Sequence, residues 1–345
     1  MHDPRQGGPV GTTETAASQL PIPTVADVIR AKQVIDRYLP PTPLLKSLPL
    51  SEQLGCDLYL KCENLQPVGA FKVRGGMYLM SQLDEASRNL GVVTASTGNH
   101  GQSIAYAARE FGVRATIYMP ENPNPLKVRS MERLGAEIVF VGKDFDECRV
   151  QAALDAESSG RYFIHSANDE RLIAGVGTYA LEIMQAIPHV DVIFVPVGAG
   201  SGVCGTLVVA KAINPAVQVY GVQATGASAS ADSYRDRTLH TYDSANTFAE
   251  GIATRTAFAY PARIMWDLID GFVLVSDQEM RAAMVTLLES AWMLAEGAGA
   301  AATAAAFQKV GDLKGKTVCC VVSGGNVPLA GLQEALAQGE SQWHA

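Results

Sequence analysis

The chain has 345 residues, 48% hydrophobic and 18% charged, so it can bury a large core and is not globally disordered. A formal net charge of −8 disfavours nucleic acid and anionic membrane as partners. The six cysteines (Cys56, Cys62, Cys148, Cys204, Cys319, Cys320) form no CxxC pair, which argues against zinc and for reduced thiols in a cytoplasm.

Residues 1–20 are rich in Gly, Thr, Ala, Ser and Gln and read as a flexible arm, neither signal peptide nor anchor. No apolar run is long enough to span a bilayer. The stretch GAFKVRGG (69–76) then sets Lys72 among small residues and beside Phe71. A desolvated amine near a second cation loses its proton readily and can act as nucleophile, base or Schiff-base former. A helix N-terminus with a snorkelling lysine is the other reading.

Strand and helix patterns alternate next. Strands are predicted at 91–96, 113–120, 136–142 and 161–166, with helices at 101–112, 124–135 and 144–158 between them. That alternation argues for a parallel sheet covered by helices. The pattern restarts with a helix at 172–187, a strand at 191–197, a helix at 204–213 and a strand at 217–224. A strand at 272–276, a helix from Asp277, an Ala-rich helix at 298–308 and a strand at 317–323 complete it. Two α/β units follow: a small domain at 88–166 inserted into a large one at 21–87 and 167–345.

Three strand ends carry unusual loops. In VPVGAGSGVCG (195–205), Gly198, Gly200 and Gly202 permit close backbone approach to an anion at a helix start, or simply a tight turn. STGNHGQ (96–102) gathers Ser96, Thr97 and Asn99 with free N–H groups, as a carboxylate site or an ordinary cap. SGGN (323–326) presents Ser323, able to meet a ring nitrogen or to serve as a turn residue. A lysine for an aldehyde, a phosphate cradle and a serine for a ring nitrogen together suit pyridoxal 5′-phosphate (PLP).

On KCENLQPVGAFKVRGG (61–76), STGNHGQSIAYAA (96–108), IAGVGTYALEI (173–183), VPVGAGSG (195–202) and SGGN (323–326), the chain resembles fold-type II PLP enzymes of the serine/threonine dehydratase and serine racemase family. The resemblance implies a tryptophan synthase β-like α/β fold, with large and small parallel-sheet domains and the active site between them. It implies that Lys72 holds PLP covalently, beside Phe71. Gly198, Ala199, Gly200, Ser201 and Gly202 would bind the phosphate, Asn99 the 3′-oxygen and Ser323 the ring nitrogen. Ser96, Thr97, Gly98, Asn99 and His100 would receive the substrate carboxylate, with Arg149 assisting or lying on a solvated helix face. A homodimer is expected.

The implied activity is α,β-elimination from a 3-hydroxy amino acid such as threonine or serine, giving a 2-keto acid and ammonia. Racemisation, β-replacement and non-catalytic PLP binding are the alternatives. Departures from the family bear on these. Val68 and Ala70 replace hydroxyl residues. Thr97 stands where the racemase has its second acid/base serine, which disfavours inversion. Gln223 and Ala229 replace metal-binding carboxylates, so no divalent ion is expected, Asp232 being the remaining candidate ligand. Because the chain ends near the catalytic region, no regulatory domain is expected. Glu250 and Arg255 either line the side-chain pocket or are solvated.

Overall fold

Apolar strands that end in glycine or helix-capping residues assemble here into two open sheets. The computed structural model describes residues 20–339 except 122, 124, 144 and the side chain of Asp146. Apart from Leu20, the expected N-terminal arm lies outside the described residues.

The larger sheet contains β1 (Leu44–Lys46), β2 (Asp57–Cys62), β7 (Val192–Pro196), β8 (Gln218–Ala224), β9 (Gly271–Val275) and β10 (Thr317–Val322). Its order is β1-β2-β10-β7-β8-β9, and only β1 runs antiparallel to its neighbour. The smaller sheet contains β3 (Val92–Ala95), β4 (Ala115–Met119), β5 (Glu137–Phe140) and β6 (Tyr162–Phe163), in the order β5-β4-β3-β6 and wholly parallel.

Every residue of β3, β4, β7 and β10 is buried. Strands covered on both faces read as continuous apolar runs, which is why they were legible. Strand β6 is shorter than the apolar run at 161–166 suggests. Strands β1 and β2 and the helices Val25–Ile35, Ala229–Asp236 and Ala259–Leu268 were not read from the sequence. Ser276 and Glu279 close a reciprocal capping box, so the helix starts at Asp277 as its sequence predicts.

Strand order decides where a site can form. In the smaller sheet the chain steps outward from β3 through β4 to β5, then returns to the other side of β3 as β6. In the larger sheet it steps from β7 through β8 to β9 and returns beside β7 as β10. At such reversals the following loops diverge and leave a crevice beyond the carboxyl ends of the strands. The loops after β3, β7 and β10 are the three that the sequence singled out. No helix among the described residues is long and apolar enough to cross a membrane.

A neutral cluster of buried charges underlies the Lys72–Ser81 helix. Arg74 Nε and Nη2 donate to Glu63 at 2.7 and 2.8 Å, and Nη1 and Nη2 to Glu182 at 2.8 and 2.9 Å. Lys61 Nζ donates to Glu182 at 2.5 Å and to the Thr42 carbonyl at 2.9 Å. Burial pushes the Glu182 carboxyl up, but the hydrogen bonds and charges of Arg74 and Lys61 outweigh it and hold it below the usual range.

Candidate active site

A cavity of about 490 Å³ opens at the carboxyl ends of both sheets. Lys72 lines it as the first residue of its helix. Its Nζ donates to Ser201 Oγ at 2.9 Å and stands 5.2 Å from the centre of the Phe71 ring. Burial lowers this amine to about 8, so a useful fraction is neutral near physiological pH. The backbone before it is laced to the loop after β10. Phe71 N donates to the Ser323 carbonyl at 3.1 Å and Gly325 N to the Gly69 carbonyl at 2.9 Å. Asn326 Nδ2 donates to the Val68 carbonyl at 2.8 Å.

Beyond β7 the chain turns through Gly198, Ala199 and Gly200 into the Ser201–Ile213 helix. Gly200 has φ 98°, and a methyl there would stand 2.7 Å from Pro261 Cβ. A methyl on Gly198 would meet the Gly251 carbonyl at 2.4 Å. Only glycine fits both places. No side chain caps this helix, and its first residues, Ser201 and Gly202, line the cavity.

The loop after β3 is organised by Ser96, whose Oγ accepts from the N–H groups of Gly98 at 3.1 Å and Gly101 at 2.8 Å. Thr97 is exposed on the cavity wall. Thr94 Oγ1 donates to the Ile164 carbonyl at 2.8 Å, so the 3.2 Å contact with His100 Nε2 has the ring as donor. Burial, aided by the charges of Lys72 and His165, lowers His100 to about 3 and keeps it neutral. Asn99 Nδ2 donates to Glu296 Oε1 at 2.6 Å, and its Oδ1 accepts from Asn326 at 2.9 Å. Ser323 lines the cavity and donates to the Ala298 carbonyl at 3.3 Å.

The family model of pyridoxal-phosphate dependent enzymes matches residues 35–324. The chain belongs to that family. It is 39% identical over 316 residues to the L-threonine ammonia-lyase of Thermotoga maritima, covering 92% of this chain and 79% of that protein. The processed form of threonine deaminase isoform 2 from Solanum lycopersicum superposes with a TM-score of 0.86 at 30% identity, over 91% of this chain and 86% of that one. Maize serine racemase gives 0.85 at 30% identity, over 93% and 99%. The enzyme is a lyase of fold type II, and PLP is its cofactor.

The residues present fit that cofactor. The glycine cradle that no methyl could enter suits a phosphate, and Lys72 is a half-buried amine within reach of the same turn through Ser201. The structure brings Phe71, Lys72, Ser96 through His100, Gly198 through Gly202 and Ser323 to one cavity. It does not bring Arg149 there. Arg149 lies on the Phe145–Ser159 helix, where its charge, after burial, helps lower His165 to about 4. Glu250 and Arg255, left open between pocket and solvent, both line the wall.

Sequence reasoning missed Lys127 and Glu296, which also line it. Glu296 is a lone carboxylate before a run of small residues, an anomaly that could have marked it. Burial raises its carboxyl, partly opposed by Lys127 and Asn99. Gln223 is spent within the protein: its Nε2 donates to the Val197 carbonyl at 3.3 Å and its Oε1 accepts from Ala231 at 2.9 Å. Asp232 accepts from Ser228, Tyr242 and Arg235. Among the described residues no group of three or more His, Cys, Asp or Glu converges as a metal site.

Proposed function

We propose that the substrate is a 3-hydroxy amino acid of the threonine or serine type, lost as a 2-keto acid and ammonia. The observation that carries this reading is Lys72, an amine lowered to about 8, poised on Ser201 at the mouth of a glycine cradle. When bound, PLP withdraws electrons from the substrate's Cα. Lys72 would take the Cα proton as general base. The Cβ–oxygen bond then breaks and the hydroxyl leaves as water, carrying off the proton that Lys72 took and returning that amine to its neutral form. The enamine formed tautomerises, and water replaces its nitrogen to give keto acid and ammonia.

The other roles follow from position. The N–H groups of residues 198–202 hold the phosphate. Asn99, oriented by Glu296 and Asn326, offers its second amide proton to the 3′-oxygen. Ser323 would meet the ring nitrogen, and a neutral hydroxyl there would not hold a proton on it, which would favour expulsion of the leaving group over reprotonation. The loop 96–100 receives the carboxylate, chiefly through the N–H groups of Thr97, Asn99 and His100, because the Ser96 hydroxyl already holds the N–H of Gly98. A homodimer in a reducing cytoplasm completes the reading, in keeping with six cysteines that are all buried.

The likeness to maize serine racemase favours inversion as a second activity. Thr97 is the candidate hydroxyl for it, and its β-branch restricts the rotamers a proton donor needs. The test is keto-acid release from threonine, serine, 3-hydroxyaspartate and aryl-serines in all stereoisomers, with Lys72→Ala as control. Keto acid from one or more of them is expected. Inversion as fast as elimination, or turnover by Lys72→Ala, would overturn the assignment.

A further inference from the structure

Lys127 belongs to the helix Pro125–Arg133 beside the smaller sheet. Its side chain is only 7% exposed, yet it lines the cavity. Its ammonium pairs with Glu250, which lies in the Glu250–Ile252 turn and is 53% exposed. The ammonium also rests on the loop after β3, since a methyl group on Gly98 would stand 3.3 Å from Nζ.

A buried ammonium is costly without a counter-ion, whereas a half-exposed carboxylate can return to water cheaply. The two partners are therefore unequal. Lys127 has to stay paired, and Glu250 is the member that can leave. The other carboxylate of the wall, Glu296, is anchored on Asn99 and is not free to exchange. A carboxylate delivered to the N–H groups of Thr97, Asn99 and His100 would arrive beside Lys127 Nζ, which a methyl on Gly98 would nearly touch.

We propose that Lys127 is a substrate-binding cation that exchanges Glu250 for the α-carboxylate of the incoming amino acid. This rests on the reading that the loop 96–100 receives that carboxylate. The exchange keeps one ion pair at Lys127 throughout, so the substrate does not have to bury an uncompensated charge. It also makes Glu250 a competitor of the substrate, and it selects amino acids over their amides.

A simple tether between the two sheets would behave differently. Removing either end of a tether shifts binding in the same direction. Under exchange the two ends act oppositely. The probe is isobutyrate, a carboxylate without an amine, titrated calorimetrically into the PLP-loaded enzyme, with isobutyramide as the neutral control. Lys127→Met is expected to weaken isobutyrate binding at least tenfold and to raise KM for the amino acid more than it lowers kcat. Lys127→Arg should restore most of the affinity. Glu250→Gln should tighten isobutyrate binding several-fold, and isobutyramide should respond to none of the three substitutions. Lys127→Met and Glu250→Gln shifting affinity in the same direction would overturn the exchange, as would wild-type affinity in Lys127→Met or no isobutyrate binding to the wild type. If Lys127→Met does not fold, Glu250→Gln still decides, because losing one end of a tether would weaken isobutyrate binding whereas losing a competitor tightens it. The calorimetry is independent of turnover, so a wild type that releases no keto acid would refute the dehydratase reading separately.

Discussion

Trace acetylation of the cofactor-free protein, followed from about pH 6 to about pH 11, measures the environment built around Lys72. Only a neutral amine reacts, so the labelling rate of the Lys72 peptide follows the fraction deprotonated. Burial places that amine at about 8 rather than 10.5. At pH 7 an amine of pKa about 8 is about one-tenth neutral and one of 10.5 about 0.03% neutral, a ratio of roughly 300. The assay compares the Lys72 peptide, quantified by mass spectrometry, with a free lysine derivative in the same tube. The Lys72 rate should rise tenfold per pH unit and level off near pH 8, while the standard is still rising. Limited reagent access scales the whole curve without moving its inflection.

The same shift has a stability consequence. Between about pH 8 and 10.5 the unfolded chain holds a proton at Lys72 that the folded one has released, so stability rises with pH through that window. Below it the buried charge costs the cofactor-free fold up to about 3 kcal/mol. A Lys72 profile that climbs unbroken through pH 10 would refute the reasoning, and with it the case for a base that works near neutrality.

Gly200→Ala puts a side chain at φ 98° and 2.7 Å from Pro261, so it should cost about 1–3 kcal/mol in strain and weaken PLP binding at least tenfold in a spectrophotometric titration. Glu182→Gln leaves Arg74 and Lys61 with one buried carboxylate fewer, and chemical denaturation at neutral pH should show a loss of about 3–5 kcal/mol. Because the wild-type carboxyl titrates below the usual range, that difference should narrow only as pH falls past it. Thr97→Ala should retain elimination and abolish residual inversion, measured by chiral analysis of recovered substrate; inversion that survives would place the second proton donor elsewhere.

By itself the sequence determined what short-range chemistry can encode. Continuous apolar runs such as DVIFVPV and TVCCVVS marked strands buried on both faces, because a doubly covered strand has no polar side to display. Gly200 and Lys72 were legible for a similar reason: a left-handed turn needs glycine, and a lysine among small residues is locally anomalous. The short antiparallel β1 was not, because three residues carry too little pattern. What only the tertiary structure decided is which distant groups meet. Lys72 finds Ser201 across 129 positions, Asn99 finds Glu296 across 197, and Lys127 finds Glu250 across 123. It also turned the Ser96 hydroxyl onto its own loop and left Arg149 away from the cavity wall. Strand order set these outcomes, by returning β6 beside β3 and β10 beside β7. Local periodicity is the same whichever neighbours a strand acquires, so the pairings that complete the site exist only once both sheets are assembled.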